Sequence, residues 1–161
     1  MAMSASPPEG ATDPHPLSRA LLVMILEDRL SDRFVCELIW QRLGYELQVD
    51  RTWRAGPTTP SAWAEAFPRA PELIAERPAS VRLTRSIPAE HKQLLKTQLG
   101  FAGYRIGELV PRRTRRATAV SWLLADLAAR GEGLPEQGPL PVPLVPPESP
   151  LQGHPGDPEV H

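Results

Sequence analysis

Leu17, Leu21, Met24 and Ile25 recur at helical spacing behind Pro14 and Pro16, which predicts a first helix ending near Leu26. Ser31 is placed to cap a second helix over residues 32–43, with Asp32 in the first turn, where the helix dipole favours an anion. Phe34, Val35, Leu38, Ile39 and Leu43 form its apolar stripe, Arg33, Glu37 and Gln41 the opposite face, and Gly44 suits the position just past its end. Trp40 falls off that stripe, which predicts a partly exposed indole, and exposed tryptophans are enriched at binding hot spots. Tyr45, Leu47 and Val49 then alternate with Glu46, Gln48 and Asp50, the period of a half-buried strand, and residues 54–57 read as a turn.

Thr59 and Pro60 open a short helix carrying Trp63 and Phe67, and a second short helix over residues 71–76 is expected to stop at Pro78. Val81, Leu83, Arg85 and Ile87 alternate with Arg82, Thr84 and Ser86, which predicts a strand. A helix over residues 88–99 turns Leu94, Leu95 and Leu99 inward and ends at Gly100; residues 101–110 are ambiguous, since Tyr104, Ile106 and Glu108 alternate while Gly103 and Gly107 weaken any regular element. Residues 112–130 form the clearest helix, closed by Gly131. The expected fold is α+β and α-rich, a single small domain of about five helices and two or three short strands.

Charge sharpens this outline. The chain has 161 residues, 18 basic and 19 acidic, and a net charge of -1. All 18 bases lie in residues 17–130 with 12 acids, giving +6; within that span residues 17–76 carry -2 and residues 77–130 carry +8. Residues 1–16 and 131–161 hold seven acids, no base and 13 of the 20 prolines, so both read as disordered tails around a folded domain at 17–130. The proline run from Pro139 to Pro147 favours an extended polyproline conformation. One cysteine excludes a disulfide scaffold, and four histidines with that cysteine leave little for a metal site, so neither metal nor cofactor is expected. No apolar run is long enough to span a bilayer, and residues 1–16 lack a signal-peptide pattern; a cytoplasmic location is expected.

The main chemical anomaly is Arg112, Arg113, Arg115 and Arg116, four cations at a helix start where the dipole disfavours them by about 0.3–1 kcal/mol each when exposed. Two readings stand. Glu27, Asp28 and Asp32 can supply internal salt bridges, or the arginines bind an external anion or partner. Arg82 and Arg85 join the candidate partner-binding set; Arg82 shares a polar face with Thr84 and Ser86, reinforced by Arg77, Lys92 and Lys96. Catalytic candidates are weak: His91 reads as exposed, Cys36 as a buried inert thiol, and Glu27 beside Asp28 as structural. The best functional expectation is a non-enzymatic module whose basic half binds an acidic protein surface. RNA or ribosome association is the first alternative, and a small enzyme built on Glu27, Asp28 and the arginines is the second.

Three blocks occur in order: residues 25–32 (ILEDRLSD), 77–88 (RPASVRLTRSIP), and 103–107 (GYRIG) with 111–119 (PRRTRRATA). Together they resemble an uncharacterised family, a domain of unknown function found in cyanobacteria and plant plastids, over roughly residues 20–129. The resemblance implies a phototroph setting, cytoplasmic or stromal, and assigns no activity and no functional residue.

Overall fold

Ser18 caps the first helix, α1 (Arg19–Leu26), its hydroxyl accepting from the Leu21 amide at 3.1 Å. The computed structural model describes residues 14–161, so the N-terminal tail expected over 1–16 lies almost wholly outside the described residues. Then follow α2 (Asp32–Arg42), β1 (Tyr45–Leu47), β2 (Trp53–Ala55), α3 (Ser61–Ala66), α4 (Arg77–Arg85), α5 (Leu94–Leu99) and α6 (Pro111–Ala129). Two 3-10 turns, Ala89–His91 and Ile106–Glu108, flank α5. The helix-rich α+β expectation holds, with six α-helices and one two-stranded sheet among the described residues.

The chain divides into two compact units. The smaller includes Leu38–Pro71 and is built on aromatic rings. β1 and β2 pair antiparallel, setting Tyr45 opposite Ala55 and Leu47 opposite Trp53. Gly44, at φ +86°, turns the chain from α2 into β1; a Cβ there would lie 2.4 Å from the Thr58 hydroxyl, so only glycine fits. Trp40 is 1% exposed, against the expectation of a partly exposed ring. The end of α2 is buried on a wider arc than its apolar stripe suggested: the Trp40 ring packs on Trp53 at 5.7 Å and its N–H donates to the Pro71 carbonyl at 2.9 Å.

The larger unit holds Pro16–Glu37 and Glu72–His161. Its centre is α6, which packs against α1, α4 and α5. Val120, Leu123 and Leu124 of α6, Leu21, Leu22 and Ile25 of α1, and Leu83 of α4 form the core. Only a narrow stripe of α6 through Thr114, Thr118 and Ser121 escapes full burial along its middle.

Four local expectations change. Residues 81–87 are not a strand: Arg77–Arg85 is helical, with Ala79, Ser80 and Leu83 buried at helical spacing. Alternation over so short a span fits both periods, and Pro78 starts the helix, since an N–H in the first turn has no helical partner to lose. The helix expected over 71–76 is only a turn at residues 73–75. The helix expected over 88–99 is broken into the Ala89–His91 turn and α5, which Gly100 ends at φ +70°. β2 takes Arg54 and Ala55, so the turn begins later, beyond Ala55.

The largest change is the C-terminal segment. Residues 131–161 run along the larger unit as a strap with specific backbone pairing. Pro135 and Glu136 carbonyls accept from the amides of Arg19 and Ala20, two N-terminal donors of α1 that have no helical partner. Leu144 N–H donates to the Arg29 carbonyl, and His161 N–H to the Ala75 carbonyl. The Asp157 carboxylate accepts from Asp32 and Arg33 amides at 2.9 and 3.1 Å, capping α2. Its composition resembles that of a disordered chain, but it docks by filling hydrogen-bond vacancies at helix starts, which a composition count does not see. Truncation after Arg130 is therefore expected to lower the thermal midpoint by several degrees. Asp157→Ala alone should cost about 0.5–2 kcal/mol by chemical denaturation; an unchanged midpoint on truncation would show the strap to be dispensable.

Candidate functional site

The end of α1 and the start of α2 form a tight corner. Arg29 N–H bonds the Met24 carbonyl at 2.9 Å and Asp28 N–H bonds the Ile25 carbonyl at 3.1 Å, the paired pattern of a Schellman C-cap. Asp28 occupies the left-handed position of that cap at φ 61°, where glycine is usual. Four residues on, Asp32 opens α2 and is 2% exposed. The corner therefore aims two carboxylates, four residues apart, at one place.

Arg112 and Arg116, also four apart, come from the start of α6 to meet them. Arg112 donates through Nη1 and Nη2 to Asp28 at 2.6 and 2.8 Å, and through Nε and Nη2 to Asp32 at 3.0 and 2.9 Å. Arg116 donates to Asp32 at 2.6 Å and to the carbonyls of Ile25 and Leu30 at 2.9 Å each, so it also covers the carbonyl end of α1. Arg112 is 0% exposed and Arg116 2%. Burial works against both charges. It would raise the Asp28 pKa, yet the Arg112 hydrogen bonds and the Arg116 and Arg112 charges outweigh it and hold the carboxyl below its ordinary value. Burial likewise lowers Arg112, and the hydrogen bonds to Asp28 and Asp32 reverse it, leaving the guanidinium above its usual range.

Arg115 leaves on another side. Its Nη1 reaches the carbonyls of Ile74, Ala75 and His161 at 2.9, 3.2 and 2.8 Å, tying the 73–75 turn and the strap to α6. Arg113 is half-buried, donates to the Glu108 carbonyl at 3.2 Å and lies 6.0 Å from the centre of the Tyr104 ring. The strap completes the cluster: His154, 5% exposed, places Nε2 2.9 Å from Asp28 Oδ1, and its own N–H donates to Asp157.

These positions settle where the expected site residues lie. Arg112, Arg115 and Arg116 are buried, and their partners are Asp28, Asp32 and backbone carbonyls; Arg115 also borders an open hollow beside α4. Glu27 does not join them: it is exposed and faces Arg29 at 3.8 Å. Arg82 and Arg85 are exposed on α4, a helix face rather than a strand face. Cys36 is buried, its thiol pushed up to about 12 by burial and then by the Glu72 carboxylate. His91 is half-buried at the 3-10 turn. His154 and Asp157 escaped notice in the sequence, where their only signal is a pair of polar side chains three apart in a Gly- and Pro-rich stretch.

Residues 16–128 match the family described as "Domain of unknown function (DUF1823)". The chain belongs to that family. The DUF1823 region contains both aspartates and all four arginines, whereas the strap lies beyond it. No curated protein matches the chain. A chain solved by solution NMR is similar at 47% identity with a TM-score of 0.63; the likeness covers 74% of this chain and 100% of that one. Among the described residues, no helix is long and apolar enough to cross a membrane, and no group of His, Cys, Asp and Glu could hold a metal ion.

The DUF1823 cluster has a testable pH signature. The Asp28 pKa is depressed in the folded state, so its contribution is present above the unfolded carboxyl value of about 4 and is lost as pH falls through the folded value. Asp28→Asn, which tolerates the left-handed backbone, should destabilise the protein at pH 7 and make much less difference at pH 3, as read by urea midpoints at both. Arg112→Met leaves the buried Asp32 and half-buried Asp28 carboxylates short of a partner and should cost about 3–5 kcal/mol.

Proposed function

We propose that the chain is a non-enzymatic interaction module whose basic C-terminal half binds an acidic protein surface, in the cytoplasm or stroma of a phototroph. The observation that carries this reading is the exposed basic set of α4 and the segment after it. Arg77, Arg82 and Arg85 project from α4, and Lys92 and Lys96 follow, all exposed. Between residues 77 and 107 there are six bases and a single carboxylate, Glu90. Arg77, Arg85, Lys92 and Lys96 form no ion pair with any described residue. This face survives the inward turn of the α6 arginines, so it bears the role first given to them.

The enzyme alternative loses support from the same geometry. Asp28 is held ionised and engaged by two arginines and His154, which leaves it no proton to give at neutral pH. Its neighbour Glu27 stands alone in solvent beside Arg29.

Titrating the full chain with polyglutamate and, separately, with bulk RNA tests the reading. Polyglutamate binding should weaken steeply with added salt, because exposed charges are screened within a Debye length of about 8 Å at physiological ionic strength. The double change Arg82→Glu with Arg85→Glu should reduce binding by at least about tenfold, equal to about 1.4 kcal/mol, in a variant that circular dichroism shows to be folded. Binding indifferent to salt and to both changes overturns the proposal, and a preference for RNA transfers the face to the nucleic-acid reading.

A further inference from the structure

The α6 stripe left open by its neighbours is the floor of a trough. On the α4 side lies a hollow of about 550 Å³ bordered by Arg77, Val81, Thr84 and Leu109. On the α5 side lies a second, about 460 Å³, walled by Lys92, Lys96, Phe101 and Tyr104. Leu109, Thr114 and Thr118 border both, so the two hollows adjoin across α6. Phe101 and Tyr104 meet edge to face at 5.0 Å and present an aromatic wall. Leu109, which borders both hollows, is 52% exposed, an apolar side chain standing in solvent at the rim.

Three threonine hydroxyls of the trough are oriented in a particular way. Thr114 donates to the Pro111 carbonyl, Thr118 to the Thr114 carbonyl and Thr84 to the Ser80 carbonyl, each at 3.0 Å. Their protons are committed to helix carbonyls, and what they turn outward is acceptor lone pairs. Such a floor suits a ligand that carries N–H donors. A phosphate backbone has none, whereas an extended peptide has one at almost every residue.

We infer that the trough holds an extended acidic peptide that sets one large apolar side chain into the α5-side hollow, against Phe101, Tyr104 and Leu109. Its main-chain N–H groups face the threonine hydroxyls, and its carboxylates meet Lys92 and Lys96 on one side and Arg77 on the other. Two adjoining hollows suit a segment of several residues better than one compact molecule, and the cations at both borders fix the sign of its charge. This rests on the acidic-partner reading and adds to it the form of the partner and the anchor that gives specificity. The anchor follows from the physics of interfaces, in which a buried aromatic or aliphatic side chain carries most of the affinity and rim charges set the encounter.

The test uses the full chain and fluorescence polarisation with three labelled probes. One is a short peptide with a single central Phe between runs of Asp and Glu; the second replaces that Phe by Ser at equal charge; the third is a single-stranded RNA of matching charge. The Phe peptide should bind at least about tenfold more tightly than the Ser peptide at the same salt. Leu109→Ser, at an exposed position that leaves folding intact, should erase that difference, and Lys92→Glu with Lys96→Glu should weaken both peptides. Equal, salt-sensitive binding of the two peptides overturns the trough and leaves the acidic-partner reading standing. Absence of salt-sensitive binding to either peptide overturns both, and tighter binding of the RNA does the same.

Discussion

Asp28 and Asp32, four residues apart on a helix corner, face Arg112 and Arg116, four residues apart on α6, and the larger unit is arranged around their meeting. Taking such charges out of water costs several kcal/mol per ion, so the cluster adds little net stability over a well-packed apolar alternative. What it does supply is position. Arg112 bridges both carboxylates, and Arg116 adds the carbonyls of Ile25 and Leu30, so the start of α6 can sit in only one register against the α1–α2 corner. The left-handed backbone of Asp28 fits this account. Glycine would suit the cap better, and an aspartate is kept there because only a carboxylate at that point reaches Arg112.

The strap follows from the same cluster. Its His154 closes on the Asp28 oxygen that Arg112 also uses, and its Asp157 caps the helix that Asp32 begins. Its prolines restrict the unfolded segment toward extended conformations, which reduces the entropy lost when it docks. A segment with few large apolar residues can then be held by a handful of hydrogen bonds, provided each one meets a donor or acceptor that would otherwise lack a partner. The Arg19, Ala20 and Asp32 amides at the starts of α1 and α2 are such groups, and Arg115, already bonded to the Ile74 and Ala75 carbonyls, takes the His161 carbonyl as well.

Much of the architecture could be read from spacing. α1, α2, β1, α3 and α6 lie close to where apolar periodicity and caps put them, because each is long enough, or punctuated clearly enough, for one period to win. Residues 77–87 show the opposite case. Val81, Leu83 and Ile87 satisfy alternation, but α4 packs against α6 and buries Ala79, Ser80 and Leu83 at helical spacing, and that packing is tertiary. The arginine cluster was legible as a conflict, since cations at a helix start need an anion, and two of its three candidate acids are the ones used. Which arginines turn inward was not legible. α6 is covered by α1, α4 and α5, so the inward arc takes in Arg112, Arg115 and Arg116 together, wider than the apolar stripe alone would indicate. The strap was hidden because many of its partners are backbone groups, which leave no mark in composition.

The charge of the chain takes on a different sense once these pairs are placed. The acidic half of the folded region supplies Asp28 and Asp32, and the basic half supplies Arg112 and Arg116; these four cancel in the interior. Among the exposed cations, Arg77 of α4 and Lys92 and Lys96 at α5 border the open α6 stripe on its two sides. Internal pairing thus removes the arginines that look most conspicuous in the sequence and leaves the less conspicuous ones facing water. A binding surface on this domain is therefore more reasonably sought where cations border unpacked apolar side chains, at Lys92, Lys96, Phe101 and Leu109, than where they are most dense along the chain.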